Sequence, residues 1–502
     1  MVEDGSLVSK KLRGFLFPLY YLGKILKIIS LIFLFPTIIA IIYGEYSNIA
    51  AFLPVGAGTA LIGFLLSFKV PKDTRISFTA SYSMVAIVWI VTVLLIAISY
   101  QITGEFKNFA DCIFESSSGF STTGATIFRD VENLSKSVNA MRLFSHWVGG
   151  MGILVLVIAI IPNTKGESSI DIFKAEVPGH QVDKFTTKLT KSAKILYIIY
   201  LVLTIILAVS FMIAKMPIYD SIVHAMSIAG TGGFSIKNAS ISAYGSIPIS
   251  VIATVGMYVF GINLYCVYLI CIGKILNVLF SEELRVYVVI CLISMFTIAI
   301  TIFTQNKALY NDNFGLALLD SSFETAAFIS TTGLGLTDFQ QWPVFCQSVL
   351  FLLMLTGGCS GSTAGGLKLS RIIISAKYAW REILTSARPN RIRVIKLENK
   401  PLDDKIVNGT LSYIVFYLFI VVAGFILISI FETIANGVEG FLPNFSLIVS
   451  CMSNVGPNFG TVDSGICADY SIASKLLLSI IMIAGRLEIL PMIYFVNPRK
   501  SL

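Results

Sequence analysis

Asp111-Cys-Ile-Phe-Glu-Ser-Ser-Ser-Gly-Phe-Ser-Thr-Thr-Gly124 and Asp320-Ser-Ser-Phe-Glu-Thr-Ala-Ala-Phe-Ile-Ser-Thr-Thr-Gly333 decide how this chain is read. Asp, Phe, Glu, Ser, Thr, Thr and Gly fall at identical offsets in both. A third stretch begins at Asp220, passes His224 and ends in Gly230-Thr231-Gly232-Gly233-Phe234, so its Asp again stands thirteen residues before a glycine. A fourth keeps less: Phe441 to Met452, then Ser453-Asn454-Val455-Gly456-Pro457. One such turn could be an ordinary helix cap. Four, with glycines spaced by 109, 100 and 123 residues and each set between two apolar runs, mark an internal repeat. Its unit is span, short half-helix, glycine turn, span.

Composition agrees with a membrane setting. The 502 residues are 55% hydrophobic and 13% charged, about half the roughly 25% charge of a soluble protein. Mean hydropathy is +0.82. A helix needs about 20 apolar residues to cross a ~30 Å hydrocarbon core. The sequence predicts spans near 25–43, 51–68, 77–100, 144–162, 195–214, 247–273, 286–304, 344–358, 411–432 and 471–496. The run at 344–358 is short and ends in glycines, which predicts a break. Lys10, Lys11 and Arg13 precede the first run as in a signal peptide. No cleavage-like site follows, so that run is read as a retained helix.

With both termini cytoplasmic, the inside segments hold 28 Lys/Arg and the outside segments eight, with Arg486 left inside a span. This is the positive-inside pattern. The net charge of +8 therefore reflects topology and contact with anionic lipid rather than nucleic acid. The basic stretch Lys368–Lys405 is either a solvated anchor loop or a dock for a cytoplasmic partner. The eight cysteines show no metal spacing and sit mostly in apolar runs, as small buried hydrophobes do.

The fold class predicted is an all-α polytopic membrane protein. Four pseudo-symmetric span–loop–span repeats, laid out as in potassium channels, follow an extra N-terminal two-helix hairpin. The units are the hairpin at 1–75, repeat one with its cytoplasmic loop at 76–194, repeat two at 195–285, repeat three with a basic cytoplasmic loop at 286–410, and repeat four at 411–502.

Non-helical backbone at membrane depth is tolerated only when it is buried in protein or lines a wet cavity. Four such turns in one chain can surround one axis. Glycine's access to positive φ lets successive carbonyls face the same way, and a ring of carbonyls can replace the water around a monovalent cation. The half-helices point their negative ends inward. No acidic side chain lies in the turns themselves, which argues against a divalent-cation filter. Asp111, Asp220 and Asp320 begin the half-helices, either stabilising helix starts or drawing cations to an outer mouth.

At these residues the chain resembles the Trk/Ktr/HKT superfamily of potassium transporters, in its TrkH type. The likeness extends over the whole chain. It includes His146-Trp147-Val148-Gly149-Gly150-Met151-Gly152, Glu176-Val177-Pro178-Gly179, Thr356 to Lys368, and Gly485-Arg486-Leu487-Glu488 with Pro491. The resemblance implies potassium uptake through a filter at Thr122, Thr123, Gly124, Thr231, Gly232, Gly233, Thr331, Thr332, Gly333, Asn454, Val455 and Gly456, with potassium the transported ion and no organic cofactor. It implies a homodimer in a bacterial-type inner membrane and a cytoplasmic nucleotide-binding regulatory subunit of the TrkA kind. The second and fourth turns depart from strict symmetry.

Residues 356–366 are almost all small or polar in mid-span, which predicts a non-helical segment under the filter. The resemblance makes it a gate, carried by Gly357, Gly358, Gly361, Ser362, Thr363, Gly365, Gly366 and Lys368; a kinked helix is the plainer reading. Arg486 is costly facing lipid. It should face the interior, either as a barrier to cations or in an ion pair with another span. Glu488, two residues on, lies on a different helix face. The alternative is a secondary transporter coupled to sodium or protons, but such proteins show inverted halves rather than four repeats of one orientation. An enzyme would need clustered nucleophiles, bases or metal ligands, and the spans offer only isolated ones. In plant relatives, serine at the first-turn glycine accompanies sodium preference. Gly124→Ser is therefore expected to lower the potassium/sodium permeability ratio, measured in reconstituted vesicles.

Overall fold

The computed structural model describes residues 19–68, 78–152, 189–305, 310, 313–387, 393–398, 400–435, 437–438, 440–460, 464–489 and 491–492. The Glu176–Gly179 motif lies outside them. Among the described residues, apart from a hairpin pairing the two-residue strands Lys396–Leu397 and Lys400–Pro401, the regular structure is helical. The N-terminal hairpin is Leu19–Tyr43 and Tyr46–Leu66. Four repeats follow: Phe78–Thr103 with Lys136–Met151, Leu189–Ile213 with Ile247–Gly261, Glu282–Gln305 with Val344–Thr356, and Asp404–Ala435 with Ile472–Arg486. Between the members of each pair lies a half-helix: Phe109–Phe120, Ile218–Ala229, Phe314–Ile329 and Phe441–Ser453.

Among the described residues, six helices are long and apolar enough to span a membrane, or seven if one bent pair is counted as a single span. That bent pair corrects the expectation of one span over 247–273. Ile247–Gly261 and Leu264–Cys271 meet at 99°. The predicted spans at 144–162, 344–358 and 471–496 are represented by Lys136–Met151, Val344–Thr356 and Ile472–Arg486, and 153–162 and 493–496 lie outside the described residues. These helices stop early because the backbone turns left-handed beyond each, at Gly152 (φ 75°), Gly357 (φ 67°) and Glu488–Ile489 (φ 56° and 66°).

The first and third half-helices are held by side-chain caps. Asn108 accepts the amide of Asp111 at 2.8 Å, and Asn313 accepts that of Gly315 at 2.9 Å. Pro217 precedes the second, and Gly440 (φ 145°) the fourth. Twelve residues rise only about 18 Å, so the first two end partway through a hydrocarbon core. Asp111 and Asp220 sit in the first turns of theirs, as expected. Asp320 does not: the third half-helix starts six residues earlier, at Phe314. Asp111 pairs with Lys475 at 2.8 Å, and Asp220 accepts the Tyr244 hydroxyl at 2.7 Å.

The N-terminal hairpin crosses closely where Gly23 faces Gly63, since a Cβ on either glycine would meet the backbone of the other helix. It docks on repeat one through Glu45, whose carboxylate accepts the Lys136 and Ser137 amides at 2.7 and 2.9 Å, at the positive end of that helix. All eight cysteines are free, and seven are buried.

Repeat one also contains a fully buried ion pair. Glu115 accepts from Arg142 at 2.7 Å and from the Ile127 amide at 3.0 Å, which ties the half-helix to the chain beyond its glycine turn. Removing one partner of such a pair costs about 3–5 kcal/mol. Arg142→Leu is therefore expected to lower the unfolding temperature of the detergent-solubilised protein, read by differential scanning fluorimetry, whereas Arg129→Leu at an exposed pair leaves it unchanged.

Candidate functional site

The four glycine turns meet around one axis. Thr122, Thr231, Thr331 and Asn454 all have φ between 52° and 60°, and Gly124, Gly233, Gly333 and Gly456 all have φ between 68° and 103°. The same left-handed step at matching positions aims each run of carbonyls alike. The turns also touch in a closed order. A Cβ on Gly124 would meet the carbonyl oxygen of Gly232, one on Gly233 that of Thr332, one on Gly333 that of Val455, and one on Gly456 that of Thr123. Each glycine thus lies against the carbonyl just before the next glycine, and the fourth returns to the first.

Several side chains of these turns are held by hydrogen bonds to one another or to the surrounding helices. Ser121 and Thr123 share a hydrogen bond of 2.7 Å, and Ser330 and Thr332 share one of the same length. Asn454, which breaks the threonine pattern, donates to Thr123 Oγ1 at 3.0 Å and to the Met482 carbonyl at 2.9 Å. Its amide ties the fourth turn to the first.

On one side of the ring lies a vestibule of about 460 Å³ whose lining includes Gly124, Gly233, Gly333, Pro457 and Glu324. Every seam of this mouth is stitched. The first and second loops join through Val131 N–H to Asn238 at 2.8 Å, and the second and third through Ile241 N–H to the Gly335 carbonyl at 3.2 Å. Gly460 N–H donates to Gln340 at 3.0 Å between the third and fourth. Thr126 and Cys467 exchange bonds with the opposite strand of chain between the fourth and first, at 2.9 and 2.7 Å.

On the other side lies the segment following Thr356. It is non-helical from Gly357 to Lys368, as expected. It reaches the turns directly: Thr231 donates to the Thr363 carbonyl at 2.8 Å, and the Gly365 amide donates to Thr331 Oγ1 at 2.6 Å. It also fills the break in the bent helix of repeat two. Cys359 N–H donates to the Gly261 carbonyl at 3.0 Å, Leu264 N–H donates to the Gly361 carbonyl at 3.2 Å, and Thr363 donates to the Phe260 carbonyl at 3.3 Å. The backbone groups freed by the 99° bend are thereby satisfied. Lys368 donates to the Ala364 carbonyl, folding the end of the segment back on itself. Ser362 donates to the Cys359 carbonyl at 2.6 Å.

Arg486 faces inward. It donates to the Thr363 carbonyl at 2.7 Å and to the carbonyls of Gly149 and Gly150 at 3.1 and 2.6 Å. It thus links the non-helical segment to the end of a repeat-one helix. Glu488 pairs instead with Arg371, at 2.5 Å. Two supporting residues went unremarked in the sequence. Glu283, buried, accepts the Ser360 amide at 2.7 Å, and Asn263 stands beside Gly361. No local motif marks either, since each works on a segment distant in sequence, 77 residues away for Glu283.

If this ring is the functional centre, crowding it should abolish function. Gly333→Ala puts a methyl group onto the Val455 carbonyl at φ 68°. It is expected to cut cation flux to vesicle background while leaving the elution volume on size-exclusion chromatography unchanged.

Comparison with known proteins follows the same lines. The family model described as TrkH, a cation transport protein, matches residues 49–501. The potassium uptake protein TrkG of the Escherichia coli Trk system is 30% identical, covering 94% of this chain and 95% of its own length. TrkH of Salmonella typhimurium is 28% identical, over 95% and 97%. The crystal structure of the potassium transporter TrkH from Vibrio parahaemolyticus superimposes with a TM-score of 0.83 at 26% identity, over 97% of this chain and 99% of that one. With its four repeats and the ring they close, this chain belongs to the TrkH family of cation transport proteins.

Proposed function

We propose that this chain takes up potassium ions across a bacterial inner membrane. The main-chain oxygens of Thr122, Thr123, Thr231, Gly232, Thr331, Thr332, Asn454 and Val455 stand in for water around the ion. The observation that carries this reading is the closed order of the four glycines against their neighbours' carbonyls. A ring held at this spacing presents oxygens without carboxylates, which suits a weakly hydrated monovalent cation. The relatives named as Trk-system potassium uptake proteins support potassium as the ion. The vestibule is then the outer entrance, and both termini face the cytoplasm, in keeping with the 28-to-eight distribution of basic residues. Translocation, not covalent chemistry, is the work of such a protein.

The segment Gly357–Lys368 acts as the gate beneath the filter, with Gly357, Gly358, Gly361, Gly365 and Gly366 supplying its close backbone approaches. Arg486 places a positive charge at the gate and holds it through Thr363. The relatives' designation as parts of a system supports a partner that works this gate. That partner is taken to be a cytoplasmic nucleotide-binding subunit, acting on a homodimer.

Flux into potassium-free liposomes tests the transport reading. Uptake is expected to follow potassium and rubidium well above sodium and lithium, with no imposed sodium or proton gradient. Equal uptake of all four, or uptake that requires such a gradient, would reject it. For the gate, Arg486→Ala is expected to raise the rate about tenfold, the factor that roughly 1.4 kcal/mol of barrier represents. An unchanged or lower rate at equal protein incorporation counts against Arg486 as a barrier.

A further inference from the structure

The second turn lacks the hydroxyl pair that braces the first and third. Where those have Ser121 with Thr123 and Ser330 with Thr332, it has Gly230 and Gly232. Something else must hold it, because a glycine-rich turn is the most costly kind to order.

The space is filled by His146, from the second helix of repeat one. A Cβ on Gly232 would fall on the imidazole ring, and all three of the atoms it would meet first belong to that ring. The ring is fully buried. Its Nδ1 lies 2.7 Å from the Gly119 carbonyl, in the first half-helix. Its Nε2 lies 3.2 Å from the amide nitrogen of Phe234, the residue after Gly233. A carbonyl only accepts and a backbone amide only donates, so Nδ1 carries the proton and Nε2 is the acceptor. The ring also lies against Phe234, with centroids 4.3 Å apart. The backbone of the same residue closes the other side: a Cβ on Gly230 would meet the His146 carbonyl.

We infer that His146 is the positioning residue of the second filter turn: its neutral imidazole replaces the missing serine–threonine brace and locks the second turn to the first half-helix. It touches no ion; it sets the diameter of the ring by fixing where the Gly232 and Gly233 carbonyls stand. The glycine at 232 is then required by the histidine at 146. The two positions form a single unit built from different repeats.

This inference rests on the reading of the ring as a cation filter, and the experiment separates the two. Rubidium and sodium uptake are compared in liposomes for wild type, His146→Ala, Gly232→Thr and the double variant. In wild type, rubidium uptake well above sodium uptake supports the filter reading, and its absence overturns that reading and this one together. Given a selective wild type, His146→Ala is expected to lower the rubidium/sodium ratio about tenfold, because the Phe234 amide loses its acceptor. Gly232→Thr alone is expected to abolish selective uptake by colliding with the ring. The double variant, in which the threonine enters the space the ring has left, is expected to regain selectivity above either single variant. A merely structural histidine gives no such mutual rescue. An unchanged ratio in His146→Ala, or a double variant no better than the worse single one, overturns the inference. Should His146→Ala fail to fold, Gly232→Ala presses on the same ring from the other side, and an unchanged ratio there overturns it equally.

Discussion

The structure depends on a contact that leaves no room for a side chain. Each of the four turn glycines rests against the last carbonyl before its counterpart in the next loop. Any Cβ there would push two turns apart, and since the ring is closed, displacement at one seam is felt at the other three. The rest of the architecture serves this contact. Half-helices deliver the turns to the ring, Asn108 and Asn313 cap two of them, and the stitched loops of the mouth keep the four from splaying. The Glu115–Arg142 pair anchors the first turn from behind.

Much of this was legible in the sequence because a repeat carries its own control. The identical offsets in 111–124 and 320–333 reported both the existence of the turns and their equivalence. The half-helix of the fourth repeat was readable even though its motif had decayed, because the apolar run and the glycine remained. The non-helical character of the segment after Thr356 was foreshadowed by its small residues, which no lipid-facing helix exposes cheaply.

What stayed hidden depended on neighbours distant in sequence. Apolarity over 247–273 does not record a bend, because the groups freed at Phe260, Gly261 and Leu264 are satisfied by residues 359–363. Asp320 looked like a helix start because its twins are; the Asn313 cap seven residues earlier lengthens that half-helix and moves the start. The glycines at 230 and 232 read as lapses from a pattern. Only the histidine ring beside them gives those lapses a physical reason.

The non-helical segment after Thr356 is tied to every repeat. It comes from the third repeat, fills a break in the second, is gripped by an arginine of the fourth and, through that arginine, is tied to the first. No single quadrant owns it. Such an element cannot yield by degrees on one side, because each tether holds the position in which the others are satisfied. As the proposed gate, it should withdraw as one body, with two discrete settings and a sharp threshold between them rather than a throttle.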